Sequence, residues 1–252
     1  MGKAQGLYLS VSWRKFAILV LSLPLFGFFV CVIWSILFNF EGTTATHCKV
    51  ANYLPSASAA IGGYTPQIYI WRICIALHSA PRLIVPVIYY NFHTSVFTAK
   101  HSLYQSFAAL AGFLHFVENL SLVGLTYISS TENHELHKDC FIIFMICSQL
   151  YMLLTCALFK WGRSGKPMSP KESKSYWWKK VLFGINIFSI VLAAYFFYRH
   201  NTYCEPGVYS WFALAEYTII STNIGFHSTT ILDFSDVVII AGRFNTHDHL
   251  PV

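Results

Sequence analysis

Charge is what this 252-residue chain has least of. Only 11% of its residues are Asp, Glu, Lys or Arg, against about 25% in a typical soluble domain. The sequence also lacks any HExxH helix, GxSxG elbow, glycine-rich phosphate loop or CxxC pair. These absences remove the usual signatures of zinc hydrolases, serine esterases, nucleotide enzymes and thiol oxidoreductases. What remains is apolar: 55% hydrophobic and 17% aromatic, with a mean hydropathy of +0.50. Too little polar material is present to cover a water-facing surface.

The apolar residues come in long runs. Phe16–Phe40, Phe141–Phe159 and Val181–Tyr198 contain no formal charge, and about 20 such residues suffice to cross a bilayer as a helix. Three further runs carry isolated charges: Gln67–Tyr90 with Arg72 and Arg82, Ser102–Thr131 with Glu118, and Gly207–Leu232 with Glu216. The expected fold is an all-α, polytopic membrane bundle of about six transmembrane helices in one domain. The spans are placed near 16–40, 67–91, 102–128, 139–160, 180–199 and 208–231. The first run is longer than the 7–15 apolar residues of a signal peptide and ends in bulky Leu37, Phe38 and Phe40, so it reads as an uncleaved span. In hydrocarbon every backbone group needs an internal partner, which makes helices the only solution for such runs.

Orientation follows from Lys and Arg. Placing both termini in the cytosol puts Lys3, Arg14, Lys15, Lys100, Arg243 and the stretch Lys160–Lys180, net +6, on that side. Only Lys49, Lys138 and Arg199 fall opposite. The basic stretch reads first as a topology determinant, with binding of anionic headgroups as a second role.

Seven cysteines are present. Four fall inside apolar runs, and Cys140 lies at the edge of one. Cys48 and Cys204 both fall in lumenal loops of this topology, where an oxidising compartment favours a bridge, although spacing alone leaves two free thiols equally open. The loop Glu41–Pro66 is too long for a connector and reads as an ordered cap. The sequon at Asn119 lies within a span, out of reach of glycosylation. The triplet His247-Asp248-His249 reads as a solvated tail.

The residues that invite chemistry are ionisable groups inside spans, each costing at least ~2.5 kcal/mol at a helix centre when charged. His78 and Arg82 share a face, Pro81 and Pro86 kink the same helix, and Arg72 lies further toward the lumen. His115, Glu118 and Asn119 lie within one turn; Glu216, Asn223 and His227 form a stripe. By residue count, Arg72, His78, His115, Glu118, Asn119 and Glu216 fall in the lumenal half or near the midplane. Arg82, Asn223 and His227 fall toward the cytosolic half. Three helices so marked predict one polar cavity, with Arg72 paired to Glu216 or Glu118 and Arg82 near His227. Buried pairs that merely fix helix register remain the alternative. The charges form no single-sign stripe, which weighs against a channel or transporter.

Several blocks resemble a known family: TTATHC (43–48), NYLPS (52–56), AAIGG (59–63), WRICIALHSAPR (71–82), ENLSLVGLTYISSTENH (118–134) and the stretch from Tyr203 to His227. They are similar to the post-GPI attachment to proteins factor 2 family of GPI-anchor lipid remodelling proteins, related to damage-regulated autophagy modulators. The resemblance implies a multi-pass protein of Golgi membranes, with the endoplasmic reticulum as a second location. It implies reacylation of lyso-GPI with a saturated, typically stearoyl, chain at sn-2, and hence an acyltransferase. The alternative is a non-catalytic module that binds GPI lipid and presents it to a separate enzyme. No cofactor or metal is implied beyond an acyl donor, acyl-CoA or phospholipid. The implied partners are the GPI lipid of GPI-anchored proteins, membrane lipids and other GPI-remodelling proteins, with no nucleic acid. The family supplies no catalytic motif, so roles are assigned from residue chemistry: His78, Glu118 and Glu216 around the reacting end of the lipid, with His78 as base and Glu118 as its orienter. Arg72, Arg82, His115, Asn119, Asn223 and His227 serve as substrate-binding groups, with Arg72 on the phosphate.

Overall fold

The computed structural model describes residues 7–95, 102–163 and 165–242. Lys3, Lys100, Arg243 and the His247–His249 triplet lie outside these residues. Helices α1 (Trp13–Phe38), α4 (Gln67–Arg82), α5 (Val85–Ser95), α6 (Ser102–Tyr127), α7 (His134–Trp161), α8 (Pro170–Tyr203) and α9 (Val208–Ser228) form an up-and-down bundle. Among the described residues, five stretches are long and apolar enough to cross a membrane: α1, α4 with α5, α6, α7 and α8. The 21-residue α9, about 32 Å at 1.5 Å per residue, has the length of a span. It is more polar, carrying Glu216, Asn223 and His227, and it runs back along α8. The outward faces are lined with exposed Ile18, Leu19, Phe26, Phe113, Phe188 and Val191, the reverse of a soluble surface and the pattern of a multi-pass membrane protein.

Local chemistry sets the helix limits. Ser169 accepts the Glu172 N–H while Glu172 accepts the Ser169 N–H, a capping box with Pro170 at the first turn, so α8 begins at Pro170, well before the apolar run at Val181. Pro81 lacks the N–H that would continue α4, and the chain breaks at residues 83–84 before α5 resumes. Between helices, close approach is permitted by Gly27, where a Cβ would lie 3.0 Å from that of Cys74, and by Gly124 against Cys140.

One end of the bundle is capped by residues 39–66, containing α2 (Phe40–Thr44) and α3 (Ala57–Gly62). The cap is tied down by polar bonds. Gln67 donates to Ser35 Oγ (3.1 Å) and Asn39 Oδ1 (2.8 Å), Tyr53 N–H to Ser210 Oγ (2.7 Å), and Tyr217 to the Pro55 carbonyl (2.5 Å). Cys48 and Cys204 are joined in a disulfide, their Cα atoms 5.3 Å apart, which fastens the cap to the end of α8. Closing so long a loop is worth about 2–5 kcal/mol. Because both singles remove the same bond, Cys48→Ser, Cys204→Ser and the double variant should show equal drops in thermal midpoint. A double variant much weaker than either single would mean the cysteines contribute separately.

At the opposite end, β1 (Leu7–Ser12) pairs antiparallel with β2 (Val238–Gly242), a ribbon joining the two ends of the described chain that the apolar runs do not reveal. Beside it the basic stretch departs from a simple solvated loop. Lys179 is fully buried, its Nζ donating to Asp233 Oδ2 (2.6 Å) and Ser175 Oγ (2.7 Å). Tyr89 and Ser175 also donate to Asp233, each at 2.5 Å. One of the cations counted toward orientation is therefore neutralised inside the protein, at the seat of the short helix α10 (Thr230–Asp233).

Candidate functional site

The break after Pro81 aims Arg82 into the bundle, where it becomes the hub of a buried network. Its Nε donates to His115 Nε2 (3.1 Å) and its Nη2 to Glu118 Oε1 (2.8 Å). The same Nη2 lies 2.5 Å from His227 Nε2, and Nη1 lies 3.4 Å from His78 Nε2. Glu118 Oε1 also accepts from Asn223 Nδ2 (3.0 Å) and lies 3.0 Å from His227 Nε2. Asn223 donates a second bond to Ser148 Oγ of α7 (2.8 Å). The Tyr151 ring stacks on His227 at 5.3 Å and 8°, and His115 stacks on His227 at 4.8 Å. Four helices, α4, α6, α7 and α9, thus converge on one guanidinium–carboxylate pair. The low dielectric around it strengthens each bond and makes any unpaired member costly.

The geometry corrects several expectations. The polar stripes bond one another directly instead of lining a cavity, and His115 and Glu118 are 0% exposed. Arg82, Asn223 and His227 share one depth with His115 and Glu118, where counting along the spans puts them in opposite halves; the break between α4 and α5 shifts the register of Arg82. Arg72 pairs with neither Glu216 nor Glu118. It lies ten residues, about 15 Å, from Arg82 along the helix, forks onto Glu132 (2.9 Å) and reaches the Tyr127 carbonyl (3.0 Å). Glu132 accepts the Ser129 N–H and hydroxyl as well as the Arg72 fork, which together hold its carboxyl well below the usual carboxylate range.

Glu216 also stands apart from the network. Partly buried, it accepts the Ala57 N–H (3.0 Å) at the start of α3 and seats the cap. His78 does not touch Glu118: its Nδ1–H donates to the Val20 carbonyl of α1 (2.8 Å), which is its orienter. Asn119 points away from the hub and donates to the Ser79 carbonyl (3.0 Å). Arg82 does lie beside His227, the pairing that the sequence suggests.

Ser148 and Tyr151 were missed because they lie in a charge-free run. Their i, i+3 spacing on one face was the available sign. The ligand atoms of His115, Glu118 and His227 lie within 4.8 Å of one another, a spacing a divalent cation could use. The Arg82 guanidinium donates to His115 and Glu118 and lies 2.5 Å from His227, however, so a second cation would sit against a positive charge. The network is chemically an anion held by a fixed cation, with imidazoles at its edge. Of these, His227 retains the most accessible surface, 8% against 2% for His78 and 0% for His115.

Comparison with known proteins agrees with the blocks quoted above. The model of the Frag1/DRAM/Sfk1/Cwh43P N-terminal domain matches residues 12–237. A Xenopus tropicalis protein named acyltransferase PGAP2 is similar, 48% identical over 90% of this chain and 89% of its own. Proteins named post-GPI attachment to proteins factor 2 are 44% identical in Drosophila pseudoobscura pseudoobscura, over 91% of this chain and 89% of theirs, and 45% identical in Caenorhabditis elegans, over 90% and 87%. No solved structure matches the chain. A domain match spanning nearly the whole chain, with relatives this similar over nine tenths of its length, means that the chain belongs to the Frag1/DRAM/Sfk1/Cwh43P family and, within it, to the post-GPI attachment to proteins factor 2 proteins.

Proposed function

We propose that this protein remodels GPI anchors in the Golgi membrane by reacylating lyso-GPI at sn-2 with a saturated, stearoyl-type chain. The 3.0 Å contact between His227 and Glu118 inside an apolar bundle carries the catalytic part of the reading. With His227 in the tautomer whose Nε2–H donates to Glu118 Oε1, Arg82 Nη2 is a neighbour of that nitrogen and not its donor; Nδ1 is then the proton acceptor, the arrangement of a general base held by a carboxylate. The lipid hydroxyl oxygen attacks the donor's acyl carbon and a new ester C–O bond forms. The donor's bond to its leaving group breaks, and the hydroxyl proton passes through His227 to that group. Arg82 holds Glu118 aligned through their 2.8 Å ion pair. His78, tethered to Val20, serves to position Arg82. Glu216 and Arg72 belong to the cap and its rim, and a lipid phosphate entering from that side would reach Arg72 by displacing Glu132.

A second reading has its own support. Every nitrogen of Arg82 is engaged within the network, which also suits a module that binds and presents GPI lipid without transforming it. In cells lacking the protein, wild type should restore saturated sn-2 chains on GPI, and Glu118→Gln at normal abundance should not. Full restoration by Glu118→Gln would remove the catalytic reading.

The reading also requires the cap to face the lumen, where GPI lies. Glycosylation sites engineered into residues 41–66 should be used, and sites between Gly162 and Ser175 should remain bare. The reverse pattern would turn the protein over and refute the assignment.

A further inference from the structure

A groove of about 700 Å³ runs between the end of α7 and the start of α8. Its apolar wall comprises Leu153, Ala157 and Phe183, and Lys160 and Lys180 stand at its rim, both exposed. The charge around it is distributed in a telling way. Lys179 is bonded to Asp233, Lys171 to Asp236 and Arg163 to Glu172. Among the described residues, no carboxylate lies in ion-pair contact with Lys160 or Lys180; the Nζ of Lys180 rests 4.7 Å over the Tyr176 ring, which leaves its charge in place. Trp177 and Trp178, exposed one turn before the groove's floor on α8, are the side chains that settle at headgroup level. They place the two lysines at the depth of lipid phosphates and the apolar wall just inside the hydrocarbon.

We propose that this groove is a binding site for an anionic glycerophospholipid of the surrounding leaflet. Its phosphate sits between Lys160 and Lys180, and one acyl chain lies against Leu153, Ala157 and Phe183. A bilayer is what contacts this face, so lipid of some kind covers it. The paired cations select an anionic headgroup over a zwitterionic one, whose own ammonium group they repel. The site lies apart from the Arg82 network and does not depend on acyl transfer, so either can fail without the other.

The test uses the full chain in nanodiscs of phosphatidylcholine with a minority of phosphatidylglycerol, followed by native mass spectrometry of the lipid that remains bound. Wild type should retain phosphatidylglycerol well above its bulk share. Lys160→Gln/Lys180→Gln should lose about fivefold of that enrichment per lysine. Ala157→Trp fills the groove from an exposed position, leaves both cations in place, and should also return retention to the bulk ratio. Lys166→Gln/Lys174→Gln removes the same charge from exposed positions that do not line the groove and should keep the enrichment. A wild type without enrichment overturns the site. So does an equal loss in the Lys166/Lys174 variant, or full retention by Ala157→Trp, since either would mean diffuse attraction by the basic stretch.

Discussion

Arg82→Met should unfold this protein more readily than any other single change in the spans. The substitution leaves the Glu118 carboxylate, fully buried, without its cation, and breaking one partner of such a pair costs roughly 3–5 kcal/mol. Arg82→Lys should rescue only part of the loss. An ammonium keeps the charge but cannot span His78, His115 and Glu118 as the planar fork does. Removing both charges in Arg82→Met/Glu118→Gln should recover much of the stability, because a neutral amide can still accept from Asn223. Thermal unfolding in detergent, followed by tryptophan fluorescence, reads all three. A midpoint for Arg82→Met equal to wild type would mean that the network does not hold the helices together.

The second large effect separates two histidines. His227→Gln should keep the bond to Glu118 yet be unable to take a proton, and a lost general base costs about 10²–10⁴-fold in rate. Restoration of saturated GPI chains should therefore vanish while the protein accumulates normally. His78→Gln should retain activity, since an amide N–H can replace the Nδ1–H that reaches the Val20 carbonyl. Inactive His78→Gln beside active His227→Gln would return the base to His78.

The sequence carried the architecture because lipid imposes a simple rule: charge-free runs of span length have to be helices. Pro81 and Pro86 announced the break that turns Arg82 inward, and the two loop cysteines were compatible with the bridge that fastens the cap. Residue types at the site were legible because ionisable groups are conspicuous in apolar runs. Their partners were not. Arg72 reads as an intramembrane cation from its place in an apolar run, but Glu132, a carboxylate from a following loop, neutralises it, and loop positions are set by tertiary contacts. Glu216 looked like a member of the stripe; the cap it holds is folded from distant sequence. Lys179 looked like one more loop cation because its partner Asp233 lies 54 residues on. The ribbon of β1 and β2 was hidden for the same reason: two short strands at opposite ends of the described chain have no local signal of pairing.

The central claim is that this chain itself moves an acyl group onto lyso-GPI. The direct measurement is purified protein in nanodiscs supplied with lyso-GPI and isotopically labelled stearoyl donors, acyl-CoA in one arm and phospholipid in the other. The predicted result is time-dependent label at sn-2 of GPI in one of the arms, lost in His227→Gln and kept in His78→Gln. Lyso-GPI that binds but stays unlabelled in both arms would contradict the account and leave a protein that presents the lipid to another enzyme.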